Sequence, residues 1–311
     1  MPLQILVFLL SGFVIGVILL VKGADIFVSG GSGLAARYQV SPALIGFTII
    51  AFGTSLPELV VNLEAAAAGT PEIALGNIIG STIANIALVL ALAAIANPAA
   101  IRDNHMAQGA GQVAMMFAAA TTFALLALRG VFDLPAGIAM LGIFTLVMLV
   151  MWRRQGVVTE ETFASHGAHD FLLTGGGLVA VILGASLLVD SATRIAIAFG
   201  ISPFVIGVSM VAVGTSLPEL ATSFVAAVRG AGGISVGNVV GSNIFNLLFV
   251  MGCTALICPI PITSSADVVI MLGFTIAILP FFSSRVRVRR WWGIATLIAY
   301  AGYIGLLFGL I

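Results

Sequence analysis

Two glutamates stand inside long apolar stretches of this sequence, each at the end of the same six residues, GTSLPE. Glu58 and Glu219 each follow about seventeen largely apolar residues. In membrane-spanning helices both carboxylates would lie near the bilayer centre, where an ionised group costs several kcal/mol unless it has a partner. No basic residue occurs at a comparable depth in either stretch. A bound cation is therefore the simplest partner, and a protonated, purely structural glutamate is the alternative.

The residues before each glutamate supply further oxygen atoms. A threonine and a serine stand four and three residues earlier, on the same helical face; they are Thr54 and Ser55 in the first stretch and Thr215 and Ser216 in the second. A proline stands directly before each glutamate. Because proline has no amide hydrogen, the carbonyls of Gly53 and Gly214 lose their helical donors, and we expect both helices to be broken here.

A second polar pattern follows each broken helix. A serine and an asparagine are spaced i,i+4 on one helical face, as Ser81 with Asn85 and as Ser242 with Asn246. Four glycines before them favour close helix packing in a membrane: Gly76, Gly80, Gly237 and Gly241. Hydroxyl, amide, carbonyl and carboxylate oxygens favour Ca²⁺, Na⁺ or Mg²⁺ over zinc or copper. Two carboxylates match one Ca²⁺ in charge, and replacement by several Na⁺ would make transport electrogenic.

The composition requires that these residues lie in a membrane. Of 311 residues, 60% are hydrophobic and 8% are charged, whereas a soluble domain has about 25% charged residues. The formal net charge of zero gives no reason to expect a nucleic-acid partner. Cys253 and Cys258 lie in one apolar run, and we expect them to be free thiols.

The apolar runs predict an all-α membrane protein with ten transmembrane helices. Their limits are 3–30, 40–68, 72–97, 106–128, 131–152, 170–192, 201–228, 233–258, 266–284 and 291–311. With both termini outside, nine arginines fall in cytoplasmic connections and two in outer ones. This asymmetry follows the positive-inside rule and predicts a multi-pass protein of the cell (plasma) membrane with that orientation.

An internal duplication organises these helices. Residues 41–58 align without gaps to residues 202–219, with eleven identities in eighteen positions, and the offset of 161 continues through Asn85 and Asn246. We expect a five-helix repeat at 1–155, a cytoplasmic linker at 156–169 and a second repeat at 170–311. Because five is odd, the second repeat is inverted, with broken helices at the midplane and the substrate between the halves.

The paired GTSLPE segments, each followed by a GN–x2–GS–x3–N pattern, resemble the two alpha-repeats of the cation/Ca²⁺ antiporter superfamily. The pattern is most similar to that of prokaryotic Na⁺/Ca²⁺ exchangers, and the resemblance covers the whole chain. It implies that Glu58 and Glu219 bridge Ca²⁺, with the carbonyls of Thr54 and Thr215 facing the same ion. It also implies flanking Na⁺ sites and a polar centre. The Na⁺ sites would use backbone oxygens of Ala51 and Ala212 with Ser55, Ser81, Ser216 and Ser242, and the centre would be lined by Asn85 and Asn246.

The resemblance therefore implies a secondary antiporter that exchanges Na⁺ for Ca²⁺ by alternating access. Ca²⁺ and Na⁺ would be substrates, with the lipid bilayer as surroundings and without a cofactor or obligatory protein partner. Asn246 argues against K⁺ co-transport, since potassium-dependent exchangers have aspartate there. H⁺/Ca²⁺ exchangers carry GNAVE around the glutamate, which neither half shows, although protons could still compete for either carboxylate.

Two other classes of protein use buried carboxylates. A cation channel can use rings of them, but inverted halves with broken helices favour alternating access. An intramembrane hydrolase can use a carboxylate dyad that shares a proton. The surrounding hydroxyls and proline breaks have no role in such a dyad, so we do not expect an enzyme.

Overall fold

The computed structural model describes residues 3–103, 109–153, 165, 167–199, 214–279 and 290–307. These residues are almost entirely helical. The first half contains α1 (Leu3–Tyr38), α2 (42–54), α3 (Leu56–Ala67), α4 (Pro71–Ala96), α5 (Pro98–Asp103), α6 (Gly109–Ala127) and α7 (Leu134–Arg153). The second half contains α8 (His169–Ala198), α9 (Leu217–Val228), α10 (Gly232–Ile257), α11 (Ser265–Ala277) and α12 (Arg290–Leu307).

Among the described residues, six helical stretches are long and apolar enough to cross a membrane. They are Gln4–Tyr38, Pro42–Ala67, Pro71–Ala96, Leu134–Arg153, His169–Ile197 and Gly232–Ile257. A multi-pass membrane protein is therefore confirmed. The count of ten spans, their inversion and the division at 156–169 stay predictions, since much of the linker, 201–213 and 280–289 lie outside the described residues.

The first helix is longer than the sequence predicted. It continues past residue 30 to Tyr38, followed by Gln39 at a φ of 53°. Several of its glycines lie at the contact with α8. A Cβ atom on Gly23 would lie 2.7 Å from the backbone nitrogen of Val181, and one on Gly30 would lie 2.5 Å from that of Thr174. Glycine at these positions therefore lets α1 and α8 pack backbone to backbone.

The helices that follow the GTSLPE segments are deeply buried. In α4 and α10 about 78% of the apolar window is buried inside the protein, against 17% in α1. Gly237 and Gly241 lie against the backbone of α2 near Ala43 and Phe47, which confirms their predicted close packing. A Cβ atom added at Gly76 would meet no heavy atom within 4 Å, so a packing role for that glycine is not supported among the described contacts.

Within the described residues, three π-helical turns interrupt the long helices. They lie at Gly46–Ile50 in α2, Asn85–Leu90 in α4 and Phe245–Val250 in α10. A π-helical turn inserts one extra residue into an α-helix and often occurs at a functional site. Two of these turns contain the asparagines predicted to line the ion site, Asn85 and Asn246.

Two short strands form a feature that the all-helical prediction missed. β1 (Val131–Phe132) pairs antiparallel with β2 (Ile260–Pro261). The amide of Ile262 also donates to the carbonyl of Gly130 at 2.9 Å. These contacts join the connection before α7 to the connection before α11, and so link the two halves of the chain.

A charged pair in the structure differs from the sequence-based expectation. The three-residue spacing of Lys22 and Asp25 on α1 favoured a pair between them. Instead, Asp25 Oδ1 lies 2.6 Å from Arg229 Nη2, at the end of α9. Both side chains are partly exposed. Arg229 on the neighbouring helix has therefore replaced Lys22, on the same helix, as the partner of Asp25.

Candidate ion-binding site

The site begins at two matching breaks in the helices. Ser55 separates α2 from α3 with φ −84° and ψ 5°, and Ser216 precedes α9 with φ −85° and ψ 2°. These values lie between the α and β regions, where helices bend or end. Pro57 and Pro218 stand at the second residue of the helix that follows. The predicted breaks are therefore present at the same serine in both halves.

Each break also creates a new helix N-terminus beside a carboxylate. Glu58 lies in the first turn of α3, and Glu219 lies in the first turn of α9. In both cases the backbone amide of the glutamate faces its own carboxylate. Because a helix N-terminus carries a partial positive charge, this position favours a negative side chain. The sequence-based argument for broken helices did not include this electrostatic effect.

Nearly all the predicted ligand residues are buried. Glu58 and Glu219 are both 0% exposed. The other buried members of the predicted set are Ala51, Thr54, Ser55, Ser81, Asn85, Thr215, Ser216, Ser242 and Asn246. Ala212, the remaining predicted ligand, lies outside the described residues.

The surroundings of Glu219 combine both halves of the chain. Its Oε1 accepts a hydrogen bond from Ser55 Oγ at 3.2 Å and another from Ser242 Oγ at 3.4 Å. Ser55 comes from the break between α2 and α3, whereas Ser242 comes from α10. Glu219 Oε2 is buried without a hydrogen-bond partner among the described residues. One oxygen of this carboxylate is therefore held by hydroxyls and the other is left without a donor.

Glu58 has the corresponding surroundings with fewer satisfied contacts. The hydroxyls of Ser81 and Thr215 approach its carboxylate, and the charge of Glu219 also acts on it. Within the described part of the chain, neither oxygen of Glu58 has a hydrogen bond of good geometry. Two carboxylates thus face a shared polar region, and three of their four oxygens make no hydrogen bond of good geometry within the described residues, although hydroxyl groups lie near them.

The two threonines make reciprocal contacts with asparagines that the ligand prediction did not include. Thr54 Oγ1 donates to Asn238 Oδ1 at 3.1 Å, and Thr215 Oγ1 donates to Asn77 Oδ1 at 3.2 Å. Both asparagines belong to the GN pair of the repeated motif. Their repetition at the offset of 161 was visible in the sequence, although their partners were not.

The predicted central asparagines are buried but not equivalent. Asn85 Nδ2 donates to Asn243 Oδ1 at 3.0 Å, and its Oδ1 has no partner among the described residues. Neither side-chain polar atom of Asn246 has a hydrogen bond in that part of the chain. Buried polar atoms without partners are costly. The two asparagines therefore keep amide groups unused by the described residues, including two oxygens, that a buried cation could use as ligands.

The sequence matches a known family over both halves. The family described as sodium/calcium exchanger protein matches residues 8–153 and 169–309. The chain belongs to the sodium/calcium exchanger family. This membership confirms the resemblance derived from the GTSLPE and GN–x2–GS–x3–N segments, and with it the classification as an antiporter-type membrane protein.

Individual relatives are similar to this protein along nearly the whole chain. The putative antiporter CaxA of Alkalimonas amylolytica is 33% identical over 94% of this chain and 97% of its own. The sodium/calcium exchanger MaX1 of Methanosarcina acetivorans is 29% identical over 94% and 97% of the two chains. A structure of the sodium-calcium exchanger NCX_Mj soaked with 10 mM Na⁺ and zero Ca²⁺ has a TM-score of 0.86 and 32% identity, covering 96% of this chain and 99% of that one. This chain therefore has the fold of a membrane exchanger.

Proposed function

We propose that this protein exchanges Na⁺ for Ca²⁺ across the cell membrane and binds the ions between Glu58 and Glu219. The observation that carries the proposal is the pair of fully buried carboxylates, three of whose oxygens make no hydrogen bond of good geometry among the described residues. Ionised carboxylates buried in this way require a compensating positive charge. The relatives named as sodium/calcium exchangers make Ca²⁺ and Na⁺ the preferred choices.

The oxygen atoms near the carboxylates support two kinds of occupancy. Ca²⁺ accepts six to eight oxygen ligands in flexible geometry, so it fits between the two carboxylates with the carbonyls of Thr54 and Thr215. Na⁺ would bind in flanking positions that use serine hydroxyls and the backbone oxygens of Ala51 and Ala212. Since two negative charges balance one Ca²⁺, exchange for three or more Na⁺ moves net charge and is electrogenic.

Alternating access is the transport mechanism that the packing favours. The pair α1 and α8 is joined along closely packed glycines and is much less buried than α4 and α10. A pair of this kind can shift as one unit against the more buried helices, which carry the ligands. Crosslinking α1 to α2 should stop turnover while sparing ion binding, and full exchange after complete crosslinking would rule the motion out. The duplicated motif and the matching breaks at Ser55 and Ser216 support two inverted repeats related at this site.

Transport in proteoliposomes tests the proposal. In vesicles loaded with Na⁺, we expect ⁴⁵Ca²⁺ to accumulate only with an outward Na⁺ gradient and faster with a positive interior potential. Glu58→Gln and Glu219→Gln should abolish uptake, whereas Glu64→Gln, at an exposed position of α3, should not. Equal uptake driven by a pH gradient would assign H⁺/Ca²⁺ exchange instead. Uptake without any counter-ion would indicate a channel.

A further inference from the structure

Two chains of buried hydrogen bonds lead into the ion site from outside it. In the first, Asn62 Nδ2 donates to the carbonyl of Ala74 at 3.3 Å, and Asn77 Nδ2 donates to Asn62 Oδ1 at 2.7 Å. Asn77 Oδ1 then accepts from Thr215 Oγ1 at 3.2 Å. This chain starts in the first half of the protein and ends on a threonine of the second half.

The second chain of hydrogen bonds starts in the second half of the protein and ends on a threonine of the first half. Asn238 Nδ2 donates to Ser223 Oγ at 2.9 Å and approaches the carbonyl of Glu219 at 3.5 Å. Asn238 Oδ1 accepts from Thr54 Oγ1 at 3.1 Å. Asn62 and Ser223 are themselves related by the offset of 161. The same arrangement is thus built twice, with a different outer residue in each copy.

The direction of each chain is fixed by a backbone carbonyl. A carbonyl oxygen can only accept a hydrogen bond, so the amide nitrogen of the first side chain must face it. In the first chain, the carbonyl of Ala74 orients Asn62, and Asn62 in turn orients Asn77. In the second chain, the carbonyl of Glu219 orients Asn238. In both cases the asparagine presents its oxygen to the threonine hydroxyl, which has one proton to donate. A carboxylate of the site competes for that proton, because Thr54 also approaches Glu219 and Thr215 also approaches Glu58. The bonds of good geometry are those to the asparagines, at 3.1 and 3.2 Å.

One further acceptor within reach of the Thr54 proton, besides Glu219 and Ser242, is the carbonyl of a predicted Na⁺ ligand, Ala51. Thr54 Oγ1 lies 3.4 Å from the carbonyl oxygen of Ala51, farther than the 3.1 Å to Asn238 Oδ1. The same carbonyl already accepts from the amide of Ser55 at 3.0 Å. A carbonyl oxygen has two lone pairs. By accepting the threonine proton, Asn238 leaves the second lone pair of Ala51 available to a cation.

We infer that Asn77 and Asn238 are positioning residues that direct the hydroxyl protons of Thr215 and Thr54 away from the ion. With these protons held by the asparagines, the nearby oxygens of Glu58 and Glu219 stay available to the ion, and no hydroxyl hydrogen of either threonine opposes its positive charge. This inference rests on the proposed ion-exchange function and assigns to the GN asparagines a role that acts through the threonines. Because each asparagine serves a threonine of the other half, its effect should depend on that threonine alone.

Double-mutant cycles measure this dependence. Asn238→Leu and Thr54→Val are made singly and together, and the half-saturation concentration for ⁴⁵Ca²⁺ uptake is measured in Na⁺-loaded proteoliposomes. Each single change should raise that concentration by roughly 3- to 10-fold, the size of one buried neutral hydrogen bond. In the double variant, the half-saturation concentration should be no higher than in the more affected of the two single variants, because the second change removes an interaction already lost.

The matched control pairs the same asparagine with the other threonine. Asn238→Leu combined with Thr215→Val should show multiplied effects, roughly 10- to 100-fold, because these side chains belong to different chains of hydrogen bonds. A purely structural role for Asn238 would instead lower the maximal rate and the unfolding temperature and multiply with both threonine variants. Equal coupling to both threonines, or coupling to neither, would overturn the inference.

The second copy of the arrangement provides an independent cycle. The effect of Asn77→Leu on the half-saturation concentration should couple to that of Thr215→Val and be independent of that of Thr54→Val. If a leucine variant does not fold, the corresponding alanine variant is used. Absence of coupling in either cycle contradicts the inference. Failure of the wild type to take up ⁴⁵Ca²⁺ against Na⁺ would reject the proposed function, whereas normal wild-type exchange with independent single effects would reject only the positioning role.

Discussion

Substitution of one glycine by alanine tests whether helix packing sets the geometry of the ion site. Gly241 lies on α10, next to Ser242 and against α2. A Cβ atom there would lie 2.7 Å from the Cβ of Ala51 and 2.9 Å from the carbonyl carbon of Phe47. Carbon atoms in contact prefer about 3.5–4.0 Å. Gly241→Ala should therefore separate α10 from α2 by roughly 1 Å.

The size of the effect follows from this separation. Overpacking of a buried position costs about 1–3 kcal/mol, offset in part by the roughly 1 kcal/mol by which alanine favours helix over glycine. The separation also lengthens the 3.1 Å hydrogen bond from Thr54 to Asn238, which crosses the same interface. Loss of about 1.4 kcal/mol of ion binding corresponds to a tenfold change in affinity. We therefore expect roughly tenfold weaker Ca²⁺ binding with a modest loss of stability.

The assay compares two glycine variants. The half-saturation concentration for ⁴⁵Ca²⁺ uptake and the unfolding temperature in detergent are measured for Gly241→Ala and for Gly142→Ala. Gly142 lies within α7, and a Cβ atom added there would meet no heavy atom within 4 Å among the described residues. The control should behave like wild type or be slightly more stable. If Gly241→Ala also has the wild-type half-saturation concentration and unfolding temperature, the packing argument is refuted.

Three further changes test other parts of the site and its supports. Ca²⁺ at a hundred times its dissociation constant should stabilise the wild type by about 2.7 kcal/mol, measured as a raised unfolding temperature. The same rise in Glu219→Gln would contradict binding of Ca²⁺ by Glu219. Arg229→Gln should cost less than about 1 kcal/mol in thermal unfolding, since its pair with Asp25 is exposed, and a much larger loss would show that the pair is structural. Asn246→Asp adds a third carboxylate at a buried position, so a proton or further cation should bind with Ca²⁺ and make uptake more dependent on pH than in wild type. Identical pH profiles would contradict that expectation.

The repeated motif made much of the ion site predictable. Glu58 and Glu219 were informative because carboxylates are rare in apolar spans and these two recur in identical surroundings. The serines and threonines before them followed from helical spacing, and the prolines predicted the breaks now seen at Ser55 and Ser216. These properties are local, so the sequence carries them directly.

Features that depend on contacts between distant segments were not predicted. The continuation of α1 to Tyr38 was missed because it depends on packing against α8, which the glycines of α1 allow. The pairing of Asp25 with Lys22 was wrong because Arg229 is brought to Asp25 by tertiary packing. The π-helical turns and the link between β1 and β2 have no comparable local pattern. Asn77 and Asn238 were visible in the motif, but only the structure shows which threonine each one contacts.

Equilibrium binding of ⁴⁵Ca²⁺ to the purified protein tests most directly whether one carboxylate from each half holds the ion. The wild type should bind Ca²⁺ in competition with Na⁺. Glu58→Gln and Glu219→Gln should each abolish binding, because either change leaves one negative charge against a divalent cation. Unchanged Ca²⁺ affinity in either variant would contradict the account.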